Sequence, residues 1–279
     1  MDNSAQAIVI ISNGPGELST WVKPLVEELH AKILMRPCQT NSSTSLRLVL
    51  VPCPNGTGKE KKVAENWGQF EIITSPSNFW DLLIRPRKYG VWPKKGIVIF
   101  LGGDQFWSVL LSARLGYFNM TYAEWVARWP FWNDRIFAMS SEVLQKMSRA
   151  MRRRCVVVGD LMADLGQTSK QKSPLPANGK WVALMPGSKA AKLRIGIPFF
   201  LELADKLSTL IPDCKFILPI APTTNLDEFK YFSSHKNKIA NQYISGIKDI
   251  SYENKVNKWK KIITKKNTEI YLKEDYPAH

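Results

Sequence analysis

Short apolar runs, each closed by a polar stretch carrying glycine or proline, set the rhythm of this chain. Residues 8–11, 46–51, 71–74, 96–101, 135–139 and 155–158 read as strands, since short β-branched runs bounded by turn residues suit strands buried on both faces. Helical spacing of apolar positions fills several intervals, at 107–115 and 143–151. Strands alternating with helices predict an α/β fold, doubly wound, with a parallel sheet covered on both sides. At 166–180 the pattern lapses into GQTSKQKSPLPANGK, polar with proline and glycine, which predicts a linker between a first domain at 1–165 and a second at 181–279. After it the rhythm restarts. WVALMPGSKAAKL predicts a strand, a glycine-serine turn and a basic helix start; FFLELADKLSTLI predicts a helix and KFILPIAP a strand. Residues 223–275 are polar and lysine-rich, with one further strand expected at 269–272. About three strands in roughly 100 residues are too few for a complete doubly wound domain. The second sheet is therefore expected to be unfinished, and the sequence to be a fragment of a longer protein.

Two junctions between strand and helix carry candidate chemistry in the first domain. In AIVIISNGPGELSTWVKPLVEEL the strand ends in Asn13-Gly14-Pro15-Gly16-Glu17. Gly14 and Gly16 are expected to adopt backbone angles that side chains forbid and to let another molecule approach the main chain, with Ser19 or Thr20 capping the helix that follows. In FLGGDQFWSVLL, Gly102 and Gly103 end a buried strand and Asp104 stands at its carboxyl end. A carboxylate there can take a proton from an attacking hydroxyl, or can simply cap the next helix. In the second domain, MPGSKAAKL sets Gly187, Ser188 and Lys189 before a helix, where free N–H groups and an ammonium can hold a phosphate. NGTGKE at 55–60 lacks the first glycine of a P-loop, where Cys53 stands, and has Glu60 in place of the magnesium-binding hydroxyl, so it is read as an ordinary loop.

Composition narrows the classes. With 44% hydrophobic and 23% charged residues the chain is globular and not disordered. No apolar run approaches the roughly 18–20 residues of a membrane-spanning helix, and MDNSAQA lacks the features of a secretion signal, so a cytoplasmic location is expected. The four cysteines, at 38, 53, 155 and 214, form no CxxC pair and are expected as buried free thiols. His30, His235 and His279 are scattered, which argues against a histidine-based triad or metal cluster. The formal net charge is +15, divided as +8 through residue 172 and +7 beyond, so it is no basic tail. It implies a polyanionic partner: nucleic acid, anionic membrane or phosphorylated substrate. Trp80, Trp92, Trp125, Trp129 and Trp132 stand among arginines and lysines, a mixture suited to a membrane interface or to a core. No RNA- or DNA-binding pattern accompanies it, and no nucleic acid is expected.

Taken in order, SNGPGEL, GGDQF, VGDLMADL (158–165) and LMPGSKAAKL resemble segments of the lipid-A-disaccharide synthases, and most of all their divergent, synthase-like branch. The resemblance covers roughly residues 1–220. It implies a GT-B fold of two facing Rossmann-like domains and a hexosyltransferase of lipid A biosynthesis. In that scheme the 6-hydroxyl of an acylated glucosamine phosphate attacks a UDP-diacylglucosamine with inversion, without metal or cofactor. By the same resemblance Asp104 is the catalytic base or orients the nucleophile. Gly14, Gly16 and Glu17 line the acceptor side, and Gly187, Ser188 and Lys189 hold the leaving diphosphate. Acylated substrates imply peripheral contact with the cytoplasmic face of an anionic membrane. The chain departs from the family at Lys189 (arginine there), Lys192 (glutamate) and Asp160 (histidine), and the family's glycine- and glutamate-containing donor segment would lie beyond residue 279. Two other readings remain open: a GT-B transferase or UDP-sugar epimerase acting on another sugar, and an inactive domain that binds anionic surfaces.

Overall fold

β1 (Gln6–Ser12) sits at the centre of the first sheet because it has no polar face to offer water: from Ala7 onward every residue is buried. Ala7, Val9 and Ile11 pack on one side with Phe79, Leu82 and Leu111. Ile8 and Ile10 pack on the other with Leu18, Val22 and Val26. Each such side chain contributes about 1.5–3 kcal/mol when fully removed from water, and only helices on both faces can provide that cover. The computed structural model describes residues 6–34, 44–54, 56–163, 179–224, 226–254 and 259–273. The chain divides into two units, Met1–Ser169 and Lys170–His279. The expected linker at 166–180 lies outside the described residues except for Gly179 and Lys180, as do Cys38, Asn55 and His279.

In the first unit seven strands run parallel in the order β3-β2-β1-β4-β5-β6-β7: β2 (Thr44–Leu50), β3 (Ile72–Thr74), β4 (Lys95–Phe100), β5 (Phe118–Ala123), β6 (Arg135–Ala138) and β7 (Cys155–Val157). The chain steps outward from β1 to β2 and β3, then crosses back to lay β4 on the other flank of β1. The connections leaving β1 and β4 therefore part in opposite directions, and a crevice opens at their carboxyl ends. A helical run over residues 15–34 (α1) follows β1. It is α-helical at Pro15–Glu17 and Lys23–Leu29 and widens to π turns at Leu18–Val22 and His30–Leu34. α2 (Glu60–Glu65), α3 (Phe79–Ile84), α4 (Phe106–Leu115), α5 (Ser141–Gln145) and α6 (Arg149–Arg152) complete this unit among the described residues.

Four details differ from the sequence reading. β5 was not expected, since Asn119 and Thr121 interrupt its apolar run. Both are buried and satisfied by the neighbouring segment: Thr121 Oγ1 donates to Asn133 Oδ1 at 2.5 Å and Asn119 Nδ2 donates to Trp132 O at 3.2 Å. The helix expected at 143–151 is broken into α5 and α6, and Arg152 spans the break by donating to Gln145 O at 2.8 Å and Met147 O at 3.1 Å. Cys53, Cys155 and Cys214 are half-buried rather than buried. Residues 56–60 lead directly into α2: Glu60 Oε1 accepts the Thr57 N–H at 2.6 Å and the Thr57 hydroxyl at 3.0 Å.

The second unit carries a five-stranded sheet in the order β10-β11-β12-β9-β8. β8 (Lys180–Ala183), β9 (Cys214–Pro219) and β12 (Glu269–Lys273) are parallel. β10 (Ile247–Asn254) and β11 (Trp259–Thr264) extend it antiparallel. The sheet is mixed, and β10 and β11 were not among the strands expected for this unit. α7 (Ala190–Leu210) and α8 (Leu226–Ser233) cover a core built on Leu193, Ile197, Leu201, Phe216, Phe229 and Ile262. Inside α7, Asp205 is 2% exposed and accepts the hydroxyls of Ser245 and of Thr264, the latter at 2.5 Å. That buried carboxylate ties the helix to the approach to β10 and to the end of β11.

Candidate active site

At the carboxyl ends of β1, β4 and β5 lies a cavity of about 300 Å³. Glu17 reaches it from the opening of α1, Gly102 to Gln105 from the turn after β4, and Tyr122, Glu124 and Arg128 from the end of β5 and beyond; Trp21 and Trp125 wall it. This is the crevice where the strand order reverses. Within the first unit the fold thus brings Glu17 and Asp104 to one cavity, with Gly14 against Glu17. Two buried polar atoms nearby, Trp21 Nε1 and Ser12 Oγ, have no hydrogen-bond partner among the described residues.

The glycines serve space more than backbone angle. Gly14 has ordinary extended angles, φ −99° and ψ 163°, and a Cβ there would overlap the carboxylate of Glu17 folded across it. Gly14 therefore gives Glu17 its seat, and its N–H is held by Asn13 Oδ1 at 2.7 Å. α1 opens on Pro15, whose missing N–H falls where no helical partner exists. Ser19 does not cap it but donates back to Pro15 O at 3.0 Å. Gly16 is exposed, has no positive φ, and a Cβ on it would touch nothing within 4 Å, so the expectation that Gly16 supplies a forbidden angle is corrected. The close approach instead occurs at Gly102, where a Cβ would stand 2.9 Å from Glu17 Cβ. Gly103, at φ +105°, turns the chain in a region that favours glycine.

Of the two roles that the sequence allowed, Asp104 shows the second, at the opening of a helix. Its Oδ1 accepts the Phe106 N–H at 2.9 Å, which opens α4. Its Oδ2 faces Arg128 Nη1 at 3.8 Å, with the aspartate side chain half exposed. Gln105 fixes that pairing: its side chain donates to Val126 O at 2.8 Å and accepts the Arg128 N–H at 2.6 Å. Glu124 has a different setting. Burial first, then the charges of Glu17 and Asp160, push its carboxyl above the usual glutamate range, while the Trp125 indole N–H donates to it and pulls the other way. Tyr122 donates to Gly159 O at 3.2 Å, and burial pushes its hydroxyl up. Sequence reasoning missed Gln105 and Glu124. Among the described residues no three His, Cys, Asp or Glu side chains are grouped so as to hold a metal ion.

In the second unit Gly187, Ser188 and Lys189 form the turn between β8 and α7. Gly187 has φ +97°, with Lys192 packed over it so that a Cβ would meet Lys192 Cβ at 3.0 Å. Lys189 occupies the N-cap with extended angles and its side chain makes no cap bond; the first turn of this 21-residue helix holds no acidic residue. Exposed Lys192 and Arg194 follow. The partial positive charge of the helix start is thus joined by cations, with no carboxylate in the helix's own first turn. Gly196 supports this turn from within α7, because a Cβ there would lie 2.8 Å from Pro186 O. Gly196→Ala is expected to push the 186–189 turn outward and to lower the unfolding midpoint, at a cost of about 1–3 kcal/mol; thermal unfolding checks it, and an unchanged midpoint would contradict the contact.

No protein-family model matches the chain. The lipid-A-disaccharide synthase of Anaeromyxobacter sp. (strain K) is 33% identical over 63 residues, 22% of this chain and 16% of that protein. The lipid-A-disaccharide synthase of Blochmanniella floridana is 24% identical over 154 residues, 49% of this chain and 40% of that protein. The matches therefore span less than half the length of either relative. Among solved structures, UDP-GlcNAc 2-epimerase from Methanocaldococcus jannaschii aligns with 98% of this chain and 74% of its own at a TM-score of 0.50 and 14% identity. MnaA from S. aureus, in complex with UDP, aligns with 84% and 66% at a TM-score of 0.51 and 11% identity. The chain thus shares the α/β fold of these two structures and has partial, low-identity similarity to lipid-A-disaccharide synthases.

Proposed function

We propose that the protein is an inverting, UDP-sugar-dependent glycosyltransferase of the lipid-A-disaccharide synthase kind, acting on an acylated glucosamine phosphate. The observation that carries this reading is the cavity at the β1/β4 crossover, where Glu17 and Asp104 stand together in a chain with segments similar to those synthases. In the proposed reaction the acceptor hydroxyl oxygen bonds to the anomeric carbon as the bond from that carbon to the diphosphate oxygen breaks. The bonding pair leaves with UDP, and the hydroxyl proton passes to a cavity carboxylate. Asp104 engages the attacking hydroxyl, with Glu17, seated over Gly14, beside it. The N–H groups of Gly187 and Ser188 and the ammonium of Lys189 stabilise the negative charge gathering on the diphosphate. Lysine can neutralise that charge without the planar two-pronged grip of arginine.

Calorimetric titration of UDP tests the second-unit part of this scheme. Lys189→Ala is expected to weaken UDP binding about tenfold or more, the loss of one charge-assisted hydrogen bond. UDP binding that is absent, or unchanged in the variant, would contradict it.

An acylated acceptor also calls for a surface that meets lipid. Phe79, Trp80, Trp107, Phe106, Trp129 and Trp132 form a continuous run of ring contacts with centroids 5.1–6.3 Å apart. Trp80, Trp129 and Trp132 are 54%, 41% and 58% exposed. Trp92 belongs to the interior instead, stacked under the Arg47 guanidinium at 4.5 Å. No helix among the described residues is long and apolar enough to cross a membrane, and the reading is peripheral contact at the cytoplasmic membrane face, through rings and cations. Co-sedimentation with vesicles containing phosphatidylglycerol is expected at low salt and should fall several-fold in Trp129→Ser/Trp132→Ser. Equal binding by that variant would argue against this surface.

A further inference from the structure

The cavity in the first unit holds three carboxylates, Glu17, Asp104 and Glu124, and one arginine. The arginine is not shared evenly. Asp104 gives one oxygen to the Phe106 N–H and turns the other to Arg128, and Gln105 locks Arg128 in that position through its backbone. Asp104 is thus held by the main chain on one side and turned toward a cation on the other. Glu124 lies at the end of β5 with carboxylates around it: Glu17 from the opening of α1 and Asp160 from the segment after β7. The indole of Trp125 donates to it, a neutral group that orients a carboxylate without neutralising it. Tyr122, the other titratable group on this wall, spends its hydroxyl on Gly159 O and the Leu161 N–H.

We propose that Glu124 is the group that takes the proton from the attacking hydroxyl, and that Asp104, paired with Arg128, positions that hydroxyl. This rests on the transferase reading above and assigns a second carboxylate to its site. The raised carboxyl of Glu124 fits the assignment, since a base works best when its pKa approaches the working pH, and two carboxylates with unlike surroundings divide the work between them. In balance, the O–H bond of the acceptor breaks and its oxygen bonds to the anomeric carbon as the bond from that carbon to the diphosphate breaks; that bonding pair leaves with UDP, and the proton resides on Glu124.

The sign of the pH effect follows. Glu124 accepts a proton only when ionised, so turnover should rise with pH through a midpoint above the ordinary glutamate range. Glu17→Gln removes a like charge and should move that midpoint down. Glu124→Gln should cut turnover by about 10²-fold or more and flatten the acidic limb of the profile, whereas Asp104→Asn should lower the rate and leave the limb in place. A second readout needs no substrate. In protein carrying ¹³C-labelled glutamate carboxyls, the signal lost in Glu124→Gln should titrate above the other glutamates and shift down in Glu17→Gln. Wild-type turnover with an unchanged rate and limb in Glu124→Gln overturns this assignment alone, as does an ordinary titration of the Glu124 signal. Absence of any wild-type turnover overturns the transferase reading and this assignment with it.

Discussion

Asp104→Asn is expected to lower turnover by about 10²–10³-fold while the protein stays folded. Asparagine keeps an oxygen that can accept the Phe106 N–H, so the opening of α4 survives the change. What disappears is the negative charge that faces Arg128 at 3.8 Å and, in the proposed reaction, the ionised oxygen that holds the attacking hydroxyl in line. Misplacing a reacting group by about 1 Å can cost 10²-fold in rate, and loss of the oriented charge adds to that. Steady-state UDP release, measured beside thermal unfolding of the same preparation, separates the chemical effect from a folding defect. Asp104→Ala should lose the turn as well and show both effects. Wild-type turnover in a folded Asp104→Asn protein would remove Asp104 from the mechanism.

The largest stability effect is expected at a residue of the second unit. Asp205→Ala leaves the Ser245 and Thr264 hydroxyls without their carboxylate in a region where Asp205 is 2% exposed and Thr264 fully buried. Each hydrogen bond to a charged group contributes about 1.5–3 kcal/mol, so the variant should lose about 3 kcal/mol or more. In a unit of this size that is a fall in Tm of roughly 10–20 °C. Asp205→Asn should lose less, since its amide oxygen can still accept one hydroxyl. Hydrogen exchange should show the loss concentrated at α7, β10 and β11. A Tm within about 2 °C of wild type would mean that this network contributes little.

How far these features could be read in the sequence follows from how local their causes are. β1 was legible because both of its faces are apolar, and β4 for the same reason. β5 was not, because Asn119 and Thr121 are satisfied by residues 132 and 133, contacts that no local pattern reveals. β10 and β11 hid in a lysine-rich stretch, where the buried positions are few: Ile262 and Thr264 lie inside while Lys261 lines up with Tyr271 on the neighbouring strand. At the site, Asp104 and Glu17 could be picked out because they stand at strand ends beside glycines. Gln105 acts through the 126–128 segment and Glu124 through charges on two other loops, so their roles depend on folding itself. Gly196 looks like an ordinary helical glycine until the turn at Pro186 is laid against it. The tryptophans divide in the same way: Trp92 has Arg47 above it, while Trp129 and Trp132 have solvent.

The central claim is that this fold transfers a sugar rather than rearranging one. Its most direct test is to incubate the protein with UDP-diacylglucosamine and diacylglucosamine 1-phosphate in mixed vesicles, then identify the products by mass spectrometry and NMR. UDP together with a β-linked acylated disaccharide phosphate is expected, formed only when both substrates are present. A donor epimerised at C2 without the acceptor would contradict it in favour of an epimerase, and two unchanged substrates would contradict it outright.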